Sequence, residues 1–285
     1  MIVSMTGFGK AVTVLPTKKI TVEIRSLNSK GIEINTRIPA LYREKELDIR
    51  KKIAKALGRG KIDISIYIEK TGVDDSIRIN KAMVLKYIEE LKTINGETGD
   101  HLLEIAMRLP EAIHTEMEDI DKEEWLQIEE TLDQAISHLE NYRIQEGNTL
   151  KEDFKLRITN ISAFLGKIKE LDKERKTEIN QRLRRSIEEL KSEIDDNRFE
   201  QELIYYLEKL DITEEFVRLR SHLDYFESNL NSKISNGKKL GFISQEIGRE
   251  INTIGSKANH AVMQKQVIKM KDELEKIKEQ LLNVL

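Results

Sequence analysis

The stretch GRGKIDISIYI, residues 58–68, sets an isoleucine at every second position, 62, 64, 66 and 68. A repeat of two is the repeat of a β-strand, so these four side chains point one way, toward a core. Upstream, Ile20, Val22 and Ile24 alternate with Thr21, Glu23 and Arg25, which predicts a second half-buried strand. Residues 2–15 read as a strand before it, with Pro16-Thr17-Lys18-Lys19 as the turn, and residues 32–38 as a strand after it. Residues 41–57 are helical. The order β, β, β, α, β predicts a sheet with one face covered by helices.

Beyond residue 70 the chain is almost all helix. Asn80 caps a helix running to about Lys92, and residues 95–100 (NGETGD) form a loop. Residues 123–195 carry apolar side chains at helical spacing, among them Ile144, Leu150, Phe154, Ile158, Ile161 and Leu165. This predicts extended antiparallel helices or a coiled coil, ended by Asp195-Asp196-Asn197. Helices over 199–210, 212–231 and 240–285 complete the chain. The fold class is α+β: a small N-terminal βββαβ sheet domain, a long helical middle and a helical C-terminal module, with segments at 1–155, 156–200 and 201–285.

Composition narrows the function. The 285 residues contain no cysteine, which excludes disulfides, thiolate catalysis and cysteine-held metal, and leaves oxygen and imidazole as metal donors. No apolar run approaches a membrane span and the N-terminus lacks a signal-peptide pattern, so the expected compartment is the cytoplasm. The net charge of −3 hides an asymmetry: residues 1–70 hold 15 Lys/Arg against 7 Asp/Glu, and the remaining residues hold 33 against 44. A basic first segment on an acidic body suits a protein that admits polyanions on one surface and repels them elsewhere, although charge also fluctuates between segments without purpose.

Two helices carry unusual polar sets. In residues 237–259 (GKKLGFISQEIGREINTIGSKAN), Ile243, Ile247, Ile251 and Ile254 form one apolar stripe. Gln245, Arg249, Asn252, Ser256 and Asn259 form a row beside it, and Glu246, Glu250, Thr253 and Lys257 form another. Glu246 and Glu250, four apart, can share a hard cation, with Arg249 or Lys257 offsetting their repulsion; a structural polar network within an oligomer is the other reading. In residues 211–226 (DITEEFVRLRSHLDYF), Asp211, Glu214, Glu215, Arg218 and His222 lie off the apolar stripe. They can bind a divalent cation, relay a proton and steady a phosphate. Equally, Asp211 with Glu214 fits a capping box, and Glu215 with Arg218 an i, i+3 ion pair. Near the N-terminus, Gly7 and Gly9 fit close backbone packing, Phe8 is expected in the core, Arg25 and Asn28 are candidate ligand contacts, and Arg43, Arg50, Lys51, Lys52, Arg59 and Lys61 supply local positive charge.

Four blocks, MTGFG (5–9), EIRSLN (23–28), DITEEFVRLRSH (211–222) and LGFISQEIGREINTIGSK (240–257), together resemble the YicC/YloC family of bacterial proteins. The resemblance implies a divalent-metal-dependent endoribonuclease that assembles as a ring-like homo-oligomer, a homohexamer, around RNA. The family's characteristic positions fall on Asp211, Glu214, Glu215, Arg218 and His222, and on Gln245, Glu246, Arg249, Glu250, Asn252, Thr253, Ser256 and Lys257. Gly241 and Gly248 depart from its usual Asp and Asn. Chemistry then suggests roles: Glu246 and Glu250, with Glu214 or Glu215, hold Mg²⁺ or Mn²⁺; His222 transfers a proton; Arg218, Arg249 and Lys257 contact phosphate, with Gln245 and Asn252 beside them. The expected partner is RNA, read by shape and single-stranded regions rather than a base code, with no DNA and no membrane. The competing readings are a non-catalytic RNA-binding or adaptor ring and a purely structural coiled-coil assembly.

Overall fold

The computed structural model describes residues 1–71, 77–95, 101–115, 121–189, 201, 204–205, 208–232 and 235–285. The first elements are strands β1 (Gly7–Val14), β2 (Lys18–Leu27) and β3 (Ile32–Arg37), a 3-10 turn (Ala40–Lys45), helix α1 (Glu46–Leu57) and strand β4 (Gly60–Lys70). They build the expected sheet, in spatial order β1-β2-β4-β3. β3 and β4 pair in parallel from Ile32 opposite Gly60 to Arg37 opposite Ser65. Parallel neighbours need a crossover, and α1 supplies it.

The period-two reading places the core. Ile20, Val22 and Ile24 of β2 and Ile62, Ile64 and Ile66 of β4 are buried against Ile49, Ile53 and Leu57 of α1. Ile128, Leu132, Ala135 and Leu139 close the same core from α4 (Lys122–Glu189). Gly9 is a requirement of this packing: a Cβ there would lie 2.0 Å from the Ala135 carbonyl oxygen. Phe8, expected inside, is 40% exposed instead, because it falls on the outward side of β1. There the Arg25 guanidinium lies 5.7 Å from its ring centroid.

Strands β5 (Ile77–Ile79) and β6 (Ile113–Thr115) pair antiparallel, and α2 (Lys81–Asn95) and α3 (His101–Met107) lie between them in sequence. Strands of three residues are too short to show a period, and the sequence reading has no counterpart for them. Asn80 does cap α2, its Oδ1 accepting the Met83 N–H at 3.1 Å.

The described residues divide into two compact units, one of Phe8–Ser26 with Gly31–Glu140, the other of Met1–Gly7, Leu27–Lys30 and Asn141–Leu285. The second unit corrects the expectation of a strand from residue 2. Ile2 is buried among helices, and a side chain at Gly147 would collide with its carbonyl oxygen, 2.2 Å from the Cβ position. Ser4 N–H donates to the Arg143 carbonyl at 3.1 Å and Met5 N–H to that of Asn283 at 2.7 Å, so this backbone finds its partners away from the sheet.

The rest of the second unit comprises the later part of α4 with α5 (Thr213–Leu230), α6 (Gly237–Lys257) and α7 (Ala261–Leu281). Phe154, Ile158, Ile161, Leu165 and Ile168 of α4 pack into one core with Leu219, Leu223 and Phe226 of α5, the isoleucine stripe of α6 and Met263, Val267, Met270 and Leu274 of α7. The single helix expected over 240–285 is two. His260 Nδ1 accepts the Met263 N–H at 3.3 Å, and Gln264 donates to the carbonyls of Gly255 and Ala258 at 2.5 and 2.8 Å, closing one helix end and opening the next. The break at Asp195-Asp196-Asn197, most of the 199–210 helix and the 96–100 loop lie outside the described residues. No helix among the described residues is long and apolar enough to cross a membrane.

Candidate metal centre on helices five and six

α5 and α6 are joined by residues 231–236, a short connection that runs them antiparallel. Their apolar stripes face the shared core, and the residues beside those stripes are therefore brought edge to edge. Here His222 of α5 meets Glu246 and Glu250 of α6, one donor atom from each lying within 4.8 Å of the others. Glu246 is exposed, His222 half-buried and Glu250 only 4% exposed.

Glu250 is the informative member. Among the described residues no hydrogen bond or ion pair reaches its carboxylate, and none reaches His222. Two carboxylates and an imidazole this close, with none of the described cations bonded to Glu250, form a donor set that suits a divalent cation. Arg249 does not answer Glu250: that guanidinium points to Glu246, at 4.0 Å, on the exposed side.

The other predicted residues have other surroundings. Glu214 pairs with Arg218 at 2.5 Å in an exposed i, i+4 bridge. Glu215, 7% exposed, accepts from Lys257 Nζ at 2.7 Å, and the same ammonium donates to the Asp211 carbonyl at 2.9 Å. The proposed Glu215–Arg218 pair is thus replaced by an interhelical one. The capping box is absent too: Ile212 occupies the N-cap without a side-chain bond. Asp211 instead accepts from Lys176 at 3.0 Å and Thr213 at 2.9 Å. Burial pushes its carboxyl up, but these hydrogen bonds outweigh it and hold the group below its ordinary range. Gln245, Arg249 and Asn252 are exposed on α6. Arg25, Arg59 and Lys61 belong to the sheet unit, where Arg25 lies 3.7 Å from Glu23; Asn28 is an exposed member of the helical unit.

One polar residue escaped the sequence reading. Arg175 of α4 is 1% exposed and donates to the carbonyls of Lys257 and Leu210 at 2.9 and 2.8 Å and to Asp172 at 2.5 Å. Its signal was available. Ile161, Ile168 and Arg175 follow at intervals of seven, so Arg175 continues a core stripe.

Two family models match the chain. The model for the endoribonuclease YicC-like N-terminal region covers residues 2–152, and that for the endoribonuclease YicC-like C-terminal region covers residues 168–285. A relative from Clostridioides difficile named "Probable endoribonuclease YicC" is 30% identical over 292 residues, spanning 100% of both chains. One of the same name from Haemophilus influenzae is 28% identical over 291 residues, again spanning 100% of both. Matched along its length by models and relatives alike, the chain belongs to the YicC-like endoribonuclease family.

Proposed function

We propose that this protein is an endoribonuclease that hydrolyses internal phosphodiester bonds of RNA with a divalent cation held by His222, Glu246 and Glu250. The observation that carries the reading is the convergence of the Glu250 and Glu246 carboxylates with the His222 imidazole, donor atoms within 4.8 Å of one another. One nitrogen and two carboxylate donors fit the group: they suit Mn²⁺ better than Mg²⁺, which favours all-oxygen coordination. Such a cation, when bound, activates water at neutral pH and neutralises charge on the scissile phosphate.

The chain's own residues do the rest. Glu246 and Glu250 supply the two carboxylate ligands, and a cation bound between them offsets their mutual repulsion. His222 joins the carboxylates as a ligand, so the imidazole that spacing alone assigns to proton transfer is placed to bind. Arg218 and Arg249 extend from exposed positions of the same two helices and present guanidinium groups to phosphate oxygens. Gln245 and Asn252 add hydrogen bonds beside them. The homohexamer that the family resemblance implies belongs to the same reading.

The test is cleavage of a structured RNA by the purified full-length protein with and without EDTA and added Mn²⁺. Cleavage should stop in EDTA and return with Mn²⁺, and Glu246→Gln should retain RNA binding while losing activity. Cleavage indifferent to chelation would overturn the reading, and binding without cleavage under all conditions would favour the adaptor.

A further inference from the structure

We infer that Glu215, Lys257 and Arg175 form a register lock that aligns α5 with α6 so that His222 meets Glu250. The inference rests on the metal-centre reading above, and adds to it three positioning residues that touch neither metal nor RNA.

The spacing is the first observation. Glu215 and His222 are seven residues apart on α5, as are Glu250 and Lys257 on α6. On antiparallel helices equal spacing puts the Glu215–Lys257 pair and the His222–Glu250 pair at two levels separated by about two turns, or ~10 Å. One pair therefore dictates the other. A one-residue slip of α6 moves Glu250 about 1.5 Å along the axis and rotates it about 100° away from His222.

The second observation is the kind of bond at the lower level. Glu215 is nearly buried, its Oε1 takes Lys257 at 2.7 Å, and its Oε2 is buried with no hydrogen-bond partner. An ion pair with one nearly buried and half-satisfied partner is a poor source of stability, and the best-attested use of such pairs is to specify one register among several that an apolar seam would accept. The α5–α6 seam has that ambiguity, since α6 presents Ile243, Ile247, Ile251 and Ile254, side chains of one shape at regular steps. Charge also fits direction: Glu215 lies in the first turn of α5 and Lys257 ends α6, so each faces the favourable end of its helix dipole.

The third observation is that the pair is anchored from outside. Arg175 of α4 donates to the Lys257 carbonyl, the open end of α6, and to the Leu210 carbonyl just before α5. Lys257 Nζ donates to the Asp211 carbonyl, and Asp211 is held by Lys176. Three helices are thus tied at one level, and the level bearing the metal donors is left to follow.

The chain contains no cysteine, so register can be read by cross-linking without background. In metal-free protein carrying His222→Cys and Glu250→Cys, mild oxidation should form one disulfide, and adding Lys257→Met should cut its yield several-fold. Separately, Lys257→Met and Glu215→Gln in the otherwise native chain should each weaken Mn²⁺ binding by calorimetry about tenfold, the scale of outer-shell substitutions. RNA affinity in EDTA should be unchanged, because the Lys257 ammonium expected at phosphate is instead engaged by Glu215 and the Asp211 carbonyl, and Lys257→Arg, which keeps the pair, should retain metal affinity. A cross-link yield indifferent to Lys257→Met overturns the lock. So does loss of RNA affinity in EDTA with Mn²⁺ binding intact, which would make Lys257 a phosphate contact. If the native chain binds no Mn²⁺ while the cross-link still depends on Lys257, the metal-centre reading falls and the lock stands.

Discussion

At two levels of the α5–α6 pair sits a nearly buried glutamate, and the levels differ in what answers the charge. Glu215 is answered from within, by Lys257 at 2.7 Å. Glu250, at 4% exposure, is answered by nothing among the described residues and has a second carboxylate and an imidazole for company. The difference separates architecture from site. A carboxylate whose cation is built into the chain has spent its charge on the fold, whereas one left without a cation is the one that the proposed metal reading assigns to a ligand.

The largest effects should come from removing each charge in turn. Glu250→Gln should reduce RNA cleavage at least ~100-fold, in the range lost when a group stabilising transition-state charge is removed. In EDTA the same substitution should stabilise the fold by about 0.2–0.5 kcal/mol, because it relieves the like-charge repulsion with Glu246 four residues away. Glu215→Gln should do the reverse to stability, costing about 1–3 kcal/mol through loss of a charge-assisted bond. Thermal melting of both variants in EDTA reads the signs directly. Equal signs would mean that the two levels are not different in kind.

Metal should sharpen the contrast. A ligand that binds only the folded state stabilises it by about 2.7 kcal/mol at a hundredfold excess over its Kd. Mn²⁺ should therefore raise the melting temperature of the native chain by several degrees and leave that of Glu250→Gln unmoved. A shift surviving in Glu250→Gln would place the cation elsewhere.

How much of this was legible in sequence follows from the range of each interaction. The isoleucine alternation at 62–68 and the stripe at 243–254 are local, and both report a face that the fold buries. The donor types at His222, Glu246 and Glu250 were visible as well. So was the Glu246–Glu250 pair, four apart on one helix; that His222 rather than Glu214 or Glu215 stands beside it was not, since that depends on a register between two helices that no spacing within either encodes. For the same reason Glu215 read as a partner for Arg218, one turn away on its own helix, when Lys257 reaches it from the next. Asp211 looked like a cap because capping is a local pattern; it does bond Thr213 at the helix start, but Lys176, 35 residues earlier, shares it. Ile2 misled in the opposite way, its apolar neighbours reading as strand while the core that buries it is helical.

Acid should weaken the fold through carboxylates that the chain's own cations hold ionised. Burial raises the Glu273 carboxyl, but hydrogen bonds from Lys276, Asn160 and Arg157 outweigh this and hold it below its ordinary 4.5; the Asp211 carboxyl is likewise held below 3.8. A folded pKa lower than the unfolded one means that the stabilisation is complete above the unfolded value and is lost as pH falls through the folded one. The melting temperature should therefore gain nothing from these groups between pH 7 and 5 and should fall below about pH 4.5. Glu273→Gln should flatten that fall while lowering the neutral-pH plateau. A decline already complete at pH 5 would point to groups other than these.

The smallest effect tests what the two departures from the family pattern mean. Gly241 and Gly248 lie on α6, yet a Cβ at Gly241 would meet nothing within 4 Å, and one at Gly248 would meet Leu274 Cδ2 at 3.2 Å. Removing a helical glycine gains about 0.5–1 kcal/mol where space allows. Gly241→Ala should show that gain, and Gly248→Ala should fall short of it by about 1 kcal/mol because the buried Leu274 must shift. Gly241 is five residues before Glu246, about 140° around the helix, so an aspartate there would point away from the metal donors. Gly241→Asp should accordingly leave Mn²⁺ affinity unchanged. A gain in affinity from that substitution would mean that the unanswered level extends beyond His222, Glu246 and Glu250, and that a fourth donor can still be added to it.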